Sequence, residues 1–177
     1  MPGKSKSSVR DQEQPSLDTA VLAAESRTAG AREQRELLVI EAGGHLLGVF
    51  TEDVGGIATG KTPAPLPRAP VSVLGVIAFR GRMLTVIDPL PLLGEAAQSH
   101  AAIFVALSGE EQLAVAADSS RGAIEILSGD IEVPQPGSGP EIIYGILARE
   151  GEQISILDVP GLFGATMQQQ ERRRRRF

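Results

Sequence analysis

Cysteine and tryptophan are absent from this sequence, and aromatic residues as a whole are scarce. Without cysteine the chain can form neither a disulfide nor a thiolate metal site, which fits a reducing compartment. Aromatic residues make up only 3% of the 177 residues, so the core must be built from aliphatic side chains. No apolar run approaches the ~20 residues of a membrane-spanning helix, and residues 1–10 lack the apolar stretch of a secretory signal. We therefore expect a cytoplasmic protein that does not insert into a membrane.

Histidine is also scarce, which limits the catalytic and metal-binding sites that the chain could form. Only His45 and His100 occur, each beside glycine or alanine in a predicted turn. The sequence contains no H-E-x-x-H or G-x-S-x-G motif and no cluster of histidine and aspartate with metal-ligand spacing. These patterns predict a protein that is not an enzyme, with no catalytic residue, no metal and no cofactor.

Charge is distributed unevenly along the chain. Residues 37–170 carry six basic and fifteen acidic side chains, a net charge of −9, whereas residues 1–36 carry six of each sign. An acidic body argues against general nucleic-acid binding. The C-terminus is instead basic, and we interpret it as a candidate tether to a partner protein. The alternatives are binding to an anionic membrane surface or to nucleic acid, or a solvated tail that only offsets the acidic body. The residues of this tether are Arg172, Arg173, Arg174, Arg175, Arg176 and Phe177.

Composition divides the chain into three parts. Residues 1–36 read as a flexible or partly helical extension, in which residues 17–38 favour a frayed helix weakened by Gly30. Residues 37–166 form the predicted folded domain, and residues 167–177 form the basic tail.

Within the predicted domain the apolar pattern is that of β-hairpins. Short apolar runs are joined by glycine-containing turns, and no long helical period comes between them. This pattern predicts an all-β barrel or sandwich with short helical turns. The predicted pairs are residues 37–42 with 46–50, 73–79 with 83–88, 103–107 with 113–117, and 142–148 with 153–158.

The chain also contains an internal repeat. Residues 75–95 align without a gap with residues 145–165, at an offset of 70. Two similar halves imply two related barrels. Each repeat places an aspartate, Asp88 or Asp158, at the end of a strand before a proline-containing turn, where it is predicted to cap the turn. Asp118 ends a further strand. The identical pairs are Gly75/Gly145, Ala78/Ala148, Gly81/Gly151, Asp88/Asp158, Leu92/Leu162 and Gly94/Gly164.

Residues 55–62 match the phosphate-binding pattern G-x-x-x-x-G-K-[ST]. That motif needs a helix immediately after the lysine to direct its positive end at the phosphate. Four prolines follow within the next eight residues, and they exclude an ordinary helix. A nucleotide-dependent enzyme using Lys61 and Asp88 is therefore the weaker alternative, and a β-edge loop is predicted here.

Residues 67–94 carry a longer and more specific pattern, PRAPVSVLGVIAFRGRMLTVIDPLPLLG. This segment resembles the CheW-like family, in which a proline-rich approach leads to Gly-x-Ile-Asn-Leu-Arg-Gly, a strand ending in Asp, and Leu-Gly. The resemblance extends over about residues 36–165. It implies a fold of two SH3-like five-stranded β-barrels, which agrees with the repeat.

The resemblance also implies a function. CheW proteins are adaptors that couple chemoreceptor signalling tips to the regulatory domain of the histidine kinase CheA. The Arg-Gly pair of the family corresponds to Arg80 and Gly81 in this sequence. The resemblance therefore implies that these two residues and the adjacent Arg82 bind the partners. The sequence departs from the family at Gly56, where an acid is usual, and at Ala78, where asparagine is usual. These departures leave open a divergent regulator of pilus or gliding motility, or a decoy that competes for the kinase.

Overall fold

The computed structural model describes residues 33–97 and 101–174, and in this part of the chain strands dominate. All four predicted hairpins are confirmed. Three short 3-10 helices, Thr51–Asp53, Leu90–Leu92 and Ser128–Asp130, lie between strands, and the helix α1 (Val159–Arg174) follows the last strand. The strands are β1 (Gln34–Ala42), β2 (His45–Phe50), β3 (Val54–Thr59), β4 (Val73–Phe79), β5 (Arg82–Ile87), β6 (Ile103–Leu107), β7 (Leu113–Ala117), β8 (Ser119–Leu127), β9 (Ile131–Glu132), β10 (Ile143–Arg149) and β11 (Glu152–Leu157).

The strands form two sheets of related topology. The first sheet has the order β8-β1-β2-β11-β10-β9, and the second has the order β3-β6-β7-β5-β4. The two-residue strand β9 pairs with β10, and its counterpart in the second sheet is a single bridge between Ala64 and Val76 of β4. The predicted all-β fold of two related units is thus confirmed.

Neither sheet is built from one half of the sequence repeat. The hairpin β1–β2 joins β10–β11 through a parallel pairing of β2 with β11, and β4–β5 joins β6–β7 through a parallel pairing of β5 with β7. The two repeats have therefore exchanged hairpins, so each sheet contains strands from both halves of the domain.

Three apolar clusters fill the fold. One lies inside each sheet, and a third lies between the sheets and under α1. Strand β1 contributes side chains to two of these clusters. Leu38 and Ile40 belong to the cluster between the sheets, whereas Leu37 and Val39 belong to the cluster inside the first sheet. Alternate side chains of a strand face opposite sides, so burial of both faces explains its unbroken apolar run.

Both ends of the domain differ from the sequence prediction. Residues 34–36, predicted as part of a frayed helix, lie in β1, because Gln34 and Arg35 pair with Leu127 and Ile126 of β8. Residue 33 is not helical, and residues 17–32 of that predicted helix lie outside the described residues. At the other end, α1 continues to Arg174 rather than stopping after a helical turn. Glutamine, glutamate and arginine are good helix formers, and no glycine or proline follows Gly164 to end the helix.

The repeated glycines allow the chain to cross closely over β4 and β10. A Cβ on Gly75 would lie 2.2 Å from the carbonyl oxygen of Ala64, and one on Gly145 would lie 2.3 Å from a methyl carbon of Ile131. A side chain at either position would collide with the crossing segment, which explains why both repeats carry glycine there.

The repeated aspartates stand before helical turns, as predicted. Asp88 is fully buried, and its Oδ1 accepts a hydrogen bond of 3.0 Å from the backbone N–H of Leu90. The predicted cap is confirmed for Asp88. Asp158 precedes α1, and its Oδ2 would lie 2.6 Å from a Cβ on Gly161, so the carboxylate folds back over the first turn of the helix.

Candidate functional site

The hairpin tip between β4 and β5 contains all three residues to which the sequence assigned partner binding. Arg80 and Gly81 form a two-residue connection with φ values of 48° and 77°. Two consecutive positive φ values are the signature of a type I′ turn, which matches the twist of the flanking strands. Glycine suits this conformation, whereas an arginine in the left-handed region costs about 1 kcal/mol.

The side chain of Arg80 is held in place by the opposite edge of the second sheet. Its Nη1 donates a hydrogen bond of 3.0 Å to the carbonyl oxygen of Gly55 in β3, and its guanidinium carbon lies 5.0 Å from the centre of the Phe79 ring. A Cβ on Gly56 would come within 3.1 Å of that ring. The sheet therefore curls until its outer strands β3 and β4 meet, and Gly56 allows the approach.

Arg82 fixes the other side of the same tip. Its Nη2 donates a hydrogen bond of 3.1 Å to the carbonyl oxygen of Gly109, in the turn between β6 and β7. Next to it, 55% of Met83 is exposed to solvent. The tip thus presents two anchored guanidinium groups beside an apolar side chain. Met83 was not among the residues predicted from the sequence. The signal that could have identified it is the repeat, because the equivalent position is the polar Gln153.

The repeat places a second tip between β10 and β11. Glu150 and Gly151 adopt φ values of 54° and 81°, so the turn is again type I′. Both carboxylate oxygens of Glu152 accept hydrogen bonds of 2.9 Å from Arg121, and the bond to Glu152 raises the pKa of Arg121 above its usual value. Arg149 donates to the carbonyl oxygen of Glu125 at 3.0 Å, which brings together β10 and β8 of the first sheet.

The phosphate-binding pattern does not have the geometry of a nucleotide site. Gly55 and Gly56 lie within strand β3, and residues 60–72 contain no helix that could follow Lys61. The backbone N–H groups of a strand do not converge on a phosphate as those at a helix N-terminus do. Residues 55–59 thus belong to the edge strand β3, and the predicted β-edge loop is found only for residues 60–62, which follow it.

The remaining residues that the sequence singled out are the two histidines and the C-terminal tether. His45 is exposed, with its Nε2 4.0 Å from Oε1 of Glu95, and His100 lies outside the described residues. Of the candidate tether, Arg172, Arg173 and Arg174 belong to the last turn of α1. Arg175, Arg176 and Phe177 lie outside the described residues.

Across 33–97 and 101–174, no helix has both the length and the apolar character needed to cross a membrane.

Comparisons with known proteins agree with this architecture. The model of a family described as CheW-like domain matches residues 36–167. Protein FrzA of Myxococcus xanthus is 33% identical over 133 residues, covering 72% of this chain and 83% of that protein. Chemotaxis protein CheW of Rhizobium meliloti (strain 1021) is 32% identical over 111 residues, covering 59% of this chain and 72% of that protein.

A solved structure is also similar. The scaffolding protein TtCheW from Thermoanaerobacter tengcongensis aligns with a TM-score of 0.64 at 21% identity, covering 72% of this chain and 90% of that one. At 21% identity, this similarity supports a shared fold and nothing more.

Proposed function

The chain belongs to the CheW-like family of adaptors in chemotaxis-type signalling, and we propose that it couples chemoreceptor signalling tips to the regulatory domain of a CheA-type histidine kinase without catalysing a reaction. It would do so in the cytoplasm, recruited to membrane-associated receptor arrays.

The anchored arginine tip is the observation that carries this proposal. Arg80 and Arg82 each use one nitrogen for a bond to a backbone carbonyl, whereas a guanidinium has five N–H donors. Because these side chains are already held in place, a partner carboxylate that binds them immobilises little additional side-chain freedom. Met83 adds exposed apolar surface beside the charges. Together these groups suit a partner surface that combines a carboxylate with an apolar patch.

The arginines at the C-terminus supply a second contact in this proposal. Arg172 to Arg176 and Phe177 would tether the adaptor to an acidic patch on a partner, adding to a modest contact at the tip. Deletion of residues 171–177 should weaken binding to the assembled partners. Unchanged binding after the deletion would remove the tether from the proposal while leaving the tip in it.

The direct test is binding of the purified protein to a CheA regulatory domain and to a receptor signalling tip. Substitution Arg80→Glu should weaken binding about tenfold or more, because it places like charges against the partner. Substitution Arg80→Lys keeps the charge but loses the planar donor fork, so it should give an intermediate loss. Glu150→Arg is the matched control, because it changes charge at the equivalent turn position of the other tip.

The outcomes separate the possible roles. Binding to both partners, weakened by Arg80→Glu and not by Glu150→Arg, supports the adaptor. Binding to the kinase alone would favour a decoy that competes for it. Binding to neither, under conditions where another CheW protein binds both, would contradict the proposal.

A further inference from the structure

A pocket of about 560 Å³ opens on the first sheet, where the edge strand β8 approaches β10 without pairing with it. This pocket, here called the seam pocket, is lined by residues 125–127 of β8 and 147–149 of β10, together with Gln34 and Asp130. Its volume lies within the ~300–1,000 Å³ that is usual for small-molecule sites. The seam pocket is therefore large enough for a small ligand.

The seam pocket has an apolar floor and charged walls. Ile126 and Leu147 are buried and belong to the apolar cluster inside the first sheet. Glu125, Asp130 and Arg149 are exposed around them. Among the described side chains, none forms an ion pair with Glu125 or Asp130. An apolar floor with a few charged groups around it is the usual construction of a site that fixes both the identity and the orientation of a ligand.

The second sheet shows that the fold does not require these charges. By the repeat, Ala58 occupies the position equivalent to Glu125, and Phe79 occupies the position equivalent to Arg149. Ala58 is buried in the apolar cluster inside the second sheet, and Phe79 packs against the same cluster. Because the equivalent seam is closed there by apolar side chains, the charges of the seam pocket favour a role in binding.

The charged groups lie close to one another. Ile131 of β9 pairs with Leu147 of β10, so the antiparallel register places Asp130 diagonally opposite Arg149. The Nη1 of Arg149 donates a hydrogen bond of 3.0 Å to the backbone carbonyl oxygen of Glu125. One guanidinium is thus held between two residues that carry carboxylates.

This arrangement selects the chemistry of the ligand. A simple anion would face two carboxylates, and a simple cation would face the guanidinium of Arg149. A zwitterion with adjacent charges satisfies both signs, because its carboxylate can accept from the remaining N–H donors of Arg149 while its ammonium donates to the carboxylates. An added β-strand fits less well, since the carbonyl oxygen of Glu125 on the edge of β8 is already bonded.

We propose that the seam pocket binds a free α-amino acid with an apolar side chain, its carboxylate on Arg149, its ammonium between Glu125 and Asp130, and its side chain over the apolar floor. A peptide carries the same two charged groups, but even in a dipeptide they are a further ~3.8 Å apart. The inference goes beyond the proposed function, since it gives the adaptor a small-molecule ligand of its own.

The test is a calorimetric titration of L-leucine into the full-length protein. Binding should saturate at one site with a Kd of roughly 0.1–1 mM, as expected for a ligand of this size. The compound 3-methylbutylamine lacks the carboxylate, 4-methylpentanoate lacks the ammonium, and L-serine lacks the apolar side chain. Each should bind at least about tenfold more weakly than L-leucine, because each leaves one part of the pocket unmatched. The dipeptide leucyl-leucine should also bind more weakly.

Variants locate the site. Arg149→Gln should weaken leucine binding about tenfold or more, and so should the double substitution Glu125→Gln with Asp130→Asn, because each removes one of the two charge contacts. Ala148→Phe places a ring in the pocket and should abolish binding. Its matched control is Ala78→Phe at the equivalent exposed position of the second sheet, which should leave binding unchanged. Thermal unfolding of each variant checks that the fold is intact.

Four results would overturn the inference: no saturable binding of L-leucine at about 10 mM, equal binding of 3-methylbutylamine, tighter binding of the dipeptide, or undiminished binding by the Ala148→Phe variant. Arg80→Glu should leave leucine binding unchanged while it weakens binding to the kinase domain. Failure of the coupling proposal and failure of the seam-pocket proposal are thereby distinguishable.

Discussion

The two hairpin tips related by the repeat share one backbone and carry opposite charges. Arg80-Gly81-Arg82 and Glu150-Gly151-Glu152 form the same type I′ turn, and in each case a side chain of the tip is bonded to a neighbouring strand or turn. Their exposed groups differ, since Met83 at the first tip corresponds to Gln153 at the second. The repeat thus preserves the glycine that the type I′ turn requires. The exposed side chains of the two tips, which partners can contact, differ in charge and polarity.

The same comparison extends into the sheets, where equivalent positions face different neighbours. The largest expected difference is at Gly75 and Gly145. A Cβ at Gly75 meets a backbone carbonyl and requires a φ of 142°, whereas a Cβ at Gly145 needs no positive φ and meets first a methyl carbon of Ile131, in the two-residue edge strand β9. We expect Gly75→Ala to lower the free energy of unfolding by about 3 kcal/mol or more and Gly145→Ala by about 1–2 kcal/mol. Urea unfolding of the two variants measures both values.

Equal losses for Gly75→Ala and Gly145→Ala would show that the two crossings are equally rigid. Such a result would contradict the distinction between backbone and side-chain contact.

A smaller difference is expected at the capping aspartates. Asp88 is fully buried and bonded to the N–H of Leu90, so Asp88→Ala leaves a buried donor unsatisfied and should cost about 2–3 kcal/mol. Asp158 is only partly buried at the start of α1, so Asp158→Ala should cost about 1 kcal/mol. Thermal unfolding at neutral pH tests the order, with Asp118→Ala as a third strand-end variant. A larger loss at Asp158 than at Asp88 would reverse our interpretation of the two caps.

The smallest difference is expected at the turns themselves. Asparagine tolerates the left-handed conformation that Arg80 and Glu150 adopt, so Glu150→Asn should stabilise the fold by roughly 0.5 kcal/mol. At Arg80 the same gain is offset by loss of the hydrogen bond to Gly55, worth about 1 kcal/mol, so Arg80→Asn should be neutral or slightly destabilising. Differential scanning calorimetry can resolve these shifts. Stabilisation by Arg80→Asn equal to that by Glu150→Asn would indicate that the bond to Gly55 contributes nothing to stability.

The sequence by itself determined the local features of this protein. Alternating apolar residues and glycine-containing turns located four hairpins, because strand periodicity and turn geometry act over a few residues. The repeat identified Gly81 and Gly151 as turn residues and Asp88 as a cap for the same reason. The prolines after Lys61 excluded a phosphate-binding helix, since a proline ring blocks helix formation within its own turn.

Only the tertiary structure decided how these local pieces combine. The parallel pairing of β2 with β11 joins residues such as Leu47 and Ser155, which are far apart in the chain, and no local pattern records such a pairing. Residues 34–36 form a strand because β8 lies beside them. The partner of Arg80 is a carbonyl of β3 that approaches only when the sheet curls on itself. Contacts between distant segments depend on packing of the whole domain, which one sequence read locally does not contain.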